Sequence, residues 1–374
     1  MKILVFNWQD IRNPLGGGAE VHLHQIFSRV ARRGHEVTLF CSRFPGAPSE
    51  EVIDGIRILR RGGRNLFNYT VVWYYLTRFR KERFDVVIDD MNKIPFFTPL
   101  YVRRPLAIII HHLFGRSIFL EASWPTAMYV HLAERFGIAA ARRKNTPILA
   151  VSTSTRNEVL SEGIAEDVID IVYNCVDHDI HKRGSGPKSP TPLIGYFGRL
   201  KKYKSVDHLL QAFSRISKEH PDVQLVVIGD GDDRPRLQAL ANELGIEHAV
   251  RFTGYVSEEE KVRLLQHMWF LVNTSSKEGW GLTVIEANAC GTAVIASDVP
   301  GLRDAVRDGS TGLLYRYGDI NGLYDRIKYL LTDHDLRHRL EDEAYRWSAT
   351  FNWDEMATKT IDILERLVGS HTRH

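Results

Sequence analysis

Glu278-Gly279-Trp280-Gly281-Leu282-Thr283-Val284-Ile285-Glu286 sets two carboxylates at the ends of a glycine-containing turn and the first part of a helix. Gly279 and Gly281 let the backbone come close to a ligand. From Leu282 the chain reads as a helix that runs to Cys290 and is stopped by Gly291. Free backbone amides, the positive end of a helix and a carboxylate therefore meet at one spot. That combination suits an anionic, hydroxyl-rich ligand such as a sugar nucleotide.

Outward from this stretch, strands alternate with helices. Upstream lie strand Leu193–Phe197, helix Val206–Lys218, strand Gln224–Ile228, helix Arg234–Leu244, strand Val250–Phe252, helix Glu258–Gln266 and strand Phe270–Asn273. Strand Ala293–Ala296 follows. The first half repeats the theme: strand Lys2–Asn7, a Gly16-Gly17-Gly18 turn, a helix through Arg33, and strand Glu36–Cys41. Apolar runs at Val86–Ile88, Leu106–Ile110 and Ile148–Val151 read as buried parallel strands. Between the halves, Lys182 to Pro190 is rich in Gly, Pro, Ser and Lys and reads as a linker. The expected fold is α/β with two Rossmann-like domains facing each other across a cleft, residues 1–183 and 184–351. A terminal helix over 352–374 is expected to pack back on the first.

Composition sets the frame. The 374 residues are 44% hydrophobic and 25% charged, a soluble globular balance that suits two domains. Three cysteines, far apart, support neither a disulfide framework nor a cysteine-based metal site, and fit a reducing cytoplasm. The first apolar run is too short for a signal peptide, and none approaches a membrane span. Lys+Arg against Asp+Glu is 25 to 19 over residues 1–185 and 24 to 27 over the rest. This asymmetry is too mild to imply a nucleic-acid partner, and no RNA- or DNA-binding motif is present, so none is expected.

Paired carboxylates raise a glycosidase reading. Along a continuous helix eight residues rise ~12 Å, beyond the roughly 5–9.5 Å that hydrolases use. The pair suits binding two parts of one ligand better. Gly198-Arg199-Leu200-Lys201-Lys202-Tyr203-Lys204 follows strand Leu193–Phe197 and sets Arg199 and Lys204 beside the next helix, where they suit a diphosphate.

These two motifs, in this order, resemble the C-terminal domain of the family-four retaining glycosyltransferases, whose fold is GT-B. The first half looks similar too, with its Gly-rich turn and His111 at the end of a strand. The resemblance implies that Arg199 and Lys204 hold the donor diphosphate and that Glu286 binds the ribose hydroxyls. It implies that Glu278, with the amides of Gly279, Trp280, Gly281 and Leu282, holds the transferred sugar, while Thr283 offers a hydroxyl to a phosphate. Val256 stands where such enzymes hold the base, Gly17 and Gly18 where they approach the diphosphate, and His111 where a His contacts the sugar; the adjacent His112 leaves the choice of ring open. The family generally works without a metal or other cofactor.

Three features compete with simpler readings. Asp230-Gly231-Asp232 matches a metal-holding Asp-x-Asp pattern, yet its place after a strand favours a helix N-cap. Asp89-Asp90 reads as another strand-end cap. A helix over Asn68–Lys81 is aromatic and basic, which fits equally an interfacial membrane helix and a core-packed one. The expected activity is transfer of a sugar from a nucleotide diphosphate sugar to a hydroxyl of a glycan or lipid-linked acceptor, in the cytoplasm and peripheral to a membrane. The alternatives are a GT-B phosphorylase or epimerase, and a silent sugar-nucleotide sensor or assembly subunit.

Overall fold

The computed structural model describes residues 1–371 except Lys93, Arg116 and Glu121, and Leu120 by its backbone alone. It divides into two compact units, residues 1–174 with the chain from Trp353 onward, and Cys175–Asn352.

Unit 1 contains strands β1 (Lys2–Phe6), β2 (Glu36–Cys41), β3 (Glu50–Ile53), β4 (Ile56–Arg60), β5 (Val86–Met91), β6 (Leu106–Ile110), β7 (Ile148–Ala150) and β8 (Ile169–Ile171). Its helices are α1 (Gly18–Arg32), α2 (Phe67–Thr77), α3 (Trp124–Arg143) and α4 (Thr153–Ser161). The strands form one sheet in the order β3-β4-β2-β1-β5-β6-β7-β8. All pair in parallel except β3, which is antiparallel to β4. The central strand β1 is almost wholly apolar, and Ile3, Leu4, Val5 and Phe6 are fully buried, as a strand covered on both faces requires. Aromatic rings fill one side of this sheet: Phe6, Phe40, Phe67, Tyr75, Phe79 and Phe96 pack together.

Unit 2 contains β9 (Leu193–Phe197), α5 (Val206–Glu219), β10 (Gln224–Ile228), α6 (Arg234–Glu243), β11 (Val250–Gly254), α7 (Glu258–His267), β12 (Phe270–Asn273), α8 (Leu282–Ala289), β13 (Ala293–Ser297), α9 (Leu302–Ala305), β14 (Leu313–Tyr315), α10 (Ile320–Thr332) and α11 (His334–Ser348). Its sheet is parallel, in the order β11-β10-β9-β12-β13-β14. The chain moves one way from β9 and the other way from β12, so the topological switch point lies between these two strands. Two Rossmann-like α/β units in one chain make the architecture GT-B.

Helix α12 (Trp353–His371) belongs to unit 1 and lies along α1. Arg33 Nη1 donates to Thr358 Oγ1 at 2.7 Å, and Leu364 and Ala357 are fully buried. Residues 372–374 of the expected terminal helix lie outside the described residues.

The stretch from Lys182 to Pro190 differs from the expected linker. It belongs to unit 2, and the division falls after Asn174 rather than after residue 183. Lys188 Nζ donates to the Gly291 carbonyl at 2.9 Å and to Thr292 Oγ1 at 2.8 Å, just past the C-terminus of α8. A cation there satisfies a carbonyl left open at a helix end. Burial pushes this ammonium down to about 8, against the pull of Glu341. The β3–β4 hairpin escaped the sequence reading, and the segment over 68–81 is α2 followed by a 3₁₀ turn at Phe79–Lys81.

Candidate functional site

In unit 2 the site is assembled from the loops that leave the carboxyl ends of β9 and β12. They are sewn together by backbone groups. Ser276 N donates to the Tyr203 carbonyl at 2.8 Å, and Thr274 Oγ1 donates to the Lys204 carbonyl at 2.8 Å. Two glycines permit the close approaches around them. Gly229 has φ +124°, and a Cβ there would lie 2.1 Å from the Gly198 carbonyl oxygen, so no other residue lets the loop after β10 rest on Gly198. Gly301 has φ +82°, and its Cβ would lie 2.3 Å from the carbonyl oxygen of Glu278.

Lys204 and Glu278, expected to hold different parts of a ligand, form an ion pair at 2.5 Å. Glu278 Oε1 also accepts from Ser275 Oγ at 2.8 Å. Burial opposes charge on Lys204, yet Glu278 beside it holds the ammonium above its ordinary range. Arg199 is exposed, and no described residue pairs with its guanidinium. One cation of the expected diphosphate clamp is thus held in place and the other is uncommitted.

Glu286 is buried on α8 and accepts from Lys261 Nζ at 3.2 Å. Lys261 also lies 2.6 Å from Glu258, while His181 Nε2 lies 3.2 Å from Glu258 and 3.6 Å from Glu286. Through the bond with His181, against the effect of burial and with help from Lys261, the Glu258 carboxyl is held down at about 2. His181, Glu258 and Glu286 offer ligand atoms within 4.8 Å of one another, as a cation site would. The Lys261 ammonium already supplies positive charge to both carboxylates. The sequence reading missed Lys261, Glu258 and His181. A weak signal existed, since Glu258 and Lys261 stand three apart on the α7 helix and so share a face.

Helix α8 starts at Leu282, as expected, with Gly281 as its N-cap. Glycine has no side chain to cap the turn, so the amides of Leu282 and Thr283 lack intrahelical acceptors, while that of Val284 donates to the Gly281 carbonyl at 2.9 Å. Thr283 Oγ1 accepts from Asn273 Nδ2 at 3.3 Å, which leaves its proton free to donate elsewhere. Trp280 is expected to serve through its backbone amide; its ring is buried and packs edge-on against Phe351 with centroids 5.0 Å apart. What Trp280 keeps for a ligand is backbone. Val256 is half-buried, two residues beyond β11.

The Asp230-Gly231-Asp232 expectation is also corrected. The N-cap of α6 is Asp233. Asp230 instead receives Arg234 Nη1 at 3.1 Å, and Asp232 pairs with Lys201 at 2.7 Å.

In unit 1, Gly17 is the N-cap of α1, and its amide donates to Glu20 Oε2 at 2.7 Å. Glu20 Oε1 accepts from Asn92 Nδ2 at 2.8 Å, which ties the turn to the loop after β5. Gly18 has open space where a side chain would stand. Upstream, the carboxylate of Asp10 receives Arg60 through both Nε, at 2.7 Å, and Nη2, at 2.9 Å, with both side chains fully buried.

His111 is buried, and its Nε2 lies 2.7 Å from Asp90 Oδ1. Asp89 and Asp90 therefore do not cap a turn. They lie inside β5, where Asp89 accepts from Thr98 Oγ1 at 2.6 Å and Asp90 orients His111. With Nε2 so engaged, Nδ1 is the ring nitrogen left for a ligand. His22 packs edge-on against His111 with centroids 5.3 Å apart, and His112 instead packs against Phe114. The buried ring is thus His111.

Comparison with known proteins follows the same division. Residues 16–180 match the family described as Glycosyltransferase Family 4, and residues 177–347 match Glycosyl transferases group 1. The chain is 32% identical to a D-inositol 3-phosphate glycosyltransferase of Corynebacterium urealyticum, over 60% of this chain and 57% of that protein. It is 24% identical to a glycogen synthase of Mycobacterium tuberculosis, over 97% and 94% of the two chains. Among solved structures, sucrose-phosphate synthase from Thermosynechococcus elongatus superposes with a TM-score of 0.83 at 20% identity, over 99% of both chains. Anabaena HepE in complex with UDP-glucose superposes with a TM-score of 0.76 at 18% identity, over 98% of this chain and 100% of that one.

Proposed function

We propose that this chain, which belongs to the family-four glycosyltransferases, transfers a sugar from a nucleotide diphosphate sugar to an acceptor hydroxyl with retention of anomeric configuration. The observation that carries the reading is the switch-point site of unit 2. There the Lys204–Glu278 pair, the uncommitted Arg199 and the N-terminus of α8 gather between β9 and β12. The UDP-glucose complex of Anabaena HepE supports a nucleotide-sugar donor.

In this reading Arg199, Lys204 and the α8 amides stabilise the charge that develops on the leaving diphosphate. The same groups supply the positive charge that a metal would otherwise bring, so the reading assigns no metal and no cofactor. Glu286 takes the ribose hydroxyls, the Glu278 turn takes the sugar, and the loop at Val256 takes the base. From unit 1 come His111, assigned to the sugar, and the turn at Gly17 and Gly18, assigned to the diphosphate. No side chain is an evident nucleophile. The bond from the anomeric carbon to the diphosphate oxygen breaks, and the acceptor oxygen bonds to the same face. The leaving diphosphate takes the acceptor proton. The acceptor is assigned to a lipid-linked or polysaccharide glycan, and the protein to the cytoplasmic face of a membrane, touching it through α2.

A thermal-shift screen against UDP, GDP, ADP and TDP and their sugars, without metal, tests the site. One base should raise the melting temperature, and Glu286→Ala should abolish the rise. Arg199→Ala should leave the melting temperature of the free protein unchanged while cutting turnover by roughly 10²–10³. No shift with any nucleotide would overturn the reading in favour of a silent subunit. Inverted stereochemistry in the product would overturn retention alone.

A further inference from the structure

A buried carboxylate needs a paired charge, and Glu286 has one in Lys261, itself only 7% exposed. Lys261 Nζ lies 3.2 Å from Glu286 Oε1 and 2.6 Å from Glu258 Oε1, and it stands over the Phe197 ring, 5.1 Å from the centroid. Two carboxylates and an aromatic face thus surround the ammonium and occupy its three N–H donors. Burial opposes charge on Lys261, and Glu286 with Glu258 holds the ammonium above its ordinary range. Lys261 is therefore fixed behind the ligand-facing acid and has no donor left for the ligand itself.

The two carboxylates are not equivalent. Glu258 makes the shorter contact with Lys261 from the first turn of α7, and its side chain is 53% exposed. It also lies 3.2 Å from His181 Nε2. Glu286 makes the longer contact, through Oε1, and its Oε2 has no hydrogen-bond partner among the described residues. One ammonium shared by two carboxylates leaves one negative charge over. Because Glu258 draws Lys261 toward itself, that charge stays with Glu286, and an oxygen stays open to accept from hydroxyls. A Lys261–Glu286 pair without Glu258 would cancel it.

We propose that Lys261 and Glu258 are positioning residues for ribose recognition: Lys261 fixes the Glu286 carboxylate, and Glu258, by sharing the ammonium, leaves that carboxylate the negative charge that binds the vicinal hydroxyls of a ribonucleoside diphosphate. The protein thus selects ribonucleotides over their deoxy forms through residues that stand behind the one holding the sugar. This deepens the donor site and rests on the assignment of Glu286 to the ribose.

The test is calorimetric titration of the full chain with UDP, GDP and ADP, each beside its 2′,3′-dideoxy form. The wild type should prefer the ribonucleotide by about 10–100-fold, the scale of hydrogen bonds to a charged group. Glu258→Gln leaves Lys261 to Glu286 alone and should cut that preference about 10-fold, with affinity for the dideoxy form unchanged. This variant alters a half-exposed side chain and keeps the test open where Lys261→Met, which strands a buried carboxylate, fails to fold. A folded Lys261→Met should lose the preference, and Lys261→Arg, whose fork spans both carboxylates, should keep most of it. Full preference retained in Glu258→Gln, or equal losses on the ribo and dideoxy forms, would overturn the inference and leave these residues a structural role. A wild type that binds both forms alike would overturn the assignment of Glu286 to the ribose. No binding of any of the three nucleotides would overturn the donor site itself, so the three failures are distinguishable.

Discussion

Lys204 Nζ lies 2.5 Å from Glu278 Oε1, across 74 residues of sequence. The cation assigned to the diphosphate and the carboxylate assigned to the sugar are thereby one electrostatic unit. Each holds the other in position at the end of its own strand.

Groups that act as a unit are lost together. Lys204→Ala and Glu278→Gln should each lower kcat/KM by roughly 10²–10³. The double variant should lose far less than the product of the two, because either change alone already breaks the pair. Steady-state kinetics on the three variants checks this, and strictly multiplicative losses would show two independent roles.

Acid sensitivity follows from His22. Burial, with the charge of His111, pushes its imidazole down to about 3, against ~6.5 in an unfolded chain. Between those values the unfolded chain binds a proton that the native state refuses. Stability is therefore untouched above about pH 7 and falls as pH drops through that window. His22→Gln should flatten this fall, and the gain should reach a few kcal/mol by about pH 4, at about 1.4 kcal/mol per unit. Urea denaturation at several pH values reads it, and parallel curves for the two proteins would rule it out.

The buried fork of Arg60 on Asp10 supports the loop that leads to Gly17. Burial would raise the Asp10 carboxyl, and the bonds from Arg60 and the Arg12 amide bring it below its ordinary value. Arg60→Met should cost about 3–5 kcal/mol, because it strands a buried carboxylate. Adding Asp10→Asn should restore part of that loss. A urea midpoint for Arg60→Met equal to wild type would show that solvent reaches Asp10 and replaces the arginine.

Several features were legible because their signals are local. Leu193–Phe197, Gln224–Ile228, Phe270–Asn273 and Leu106–Ile110 are predominantly apolar runs, and each is a strand with the expected bounds. The start of α8 at Leu282 was announced by the glycines before it. The misses share one cause. The stretch from Lys182 to Pro190 has the composition of a linker, yet Lys188 finds the open carbonyl of Gly291 a hundred residues away. Asp89 and Asp90 look like caps, yet Thr98 and His111 satisfy them within a buried strand. A polar residue is read as exposed until its partner is known.

By itself, then, the sequence determined the alternation of strands and helices, the two α/β halves, and the presence of Glu278, Glu286, Arg199 and Lys204 near strand ends. Periodicity, helix stops and turn residues act over a few positions, so a linear reading recovers them. Only the tertiary structure decided which charges share a partner. The strand order β10-β9-β12 sets the loops of β9 and β12 side by side, and so makes Lys204 and Glu278 a pair while leaving Arg199 without a partner among the described residues. It likewise set Lys261, Glu258 and His181 around Glu286, and Asp90 behind His111. An ion pair depends on distance in space, and that distance is decided by sheet order and packing, to which no local signal in the chain corresponds.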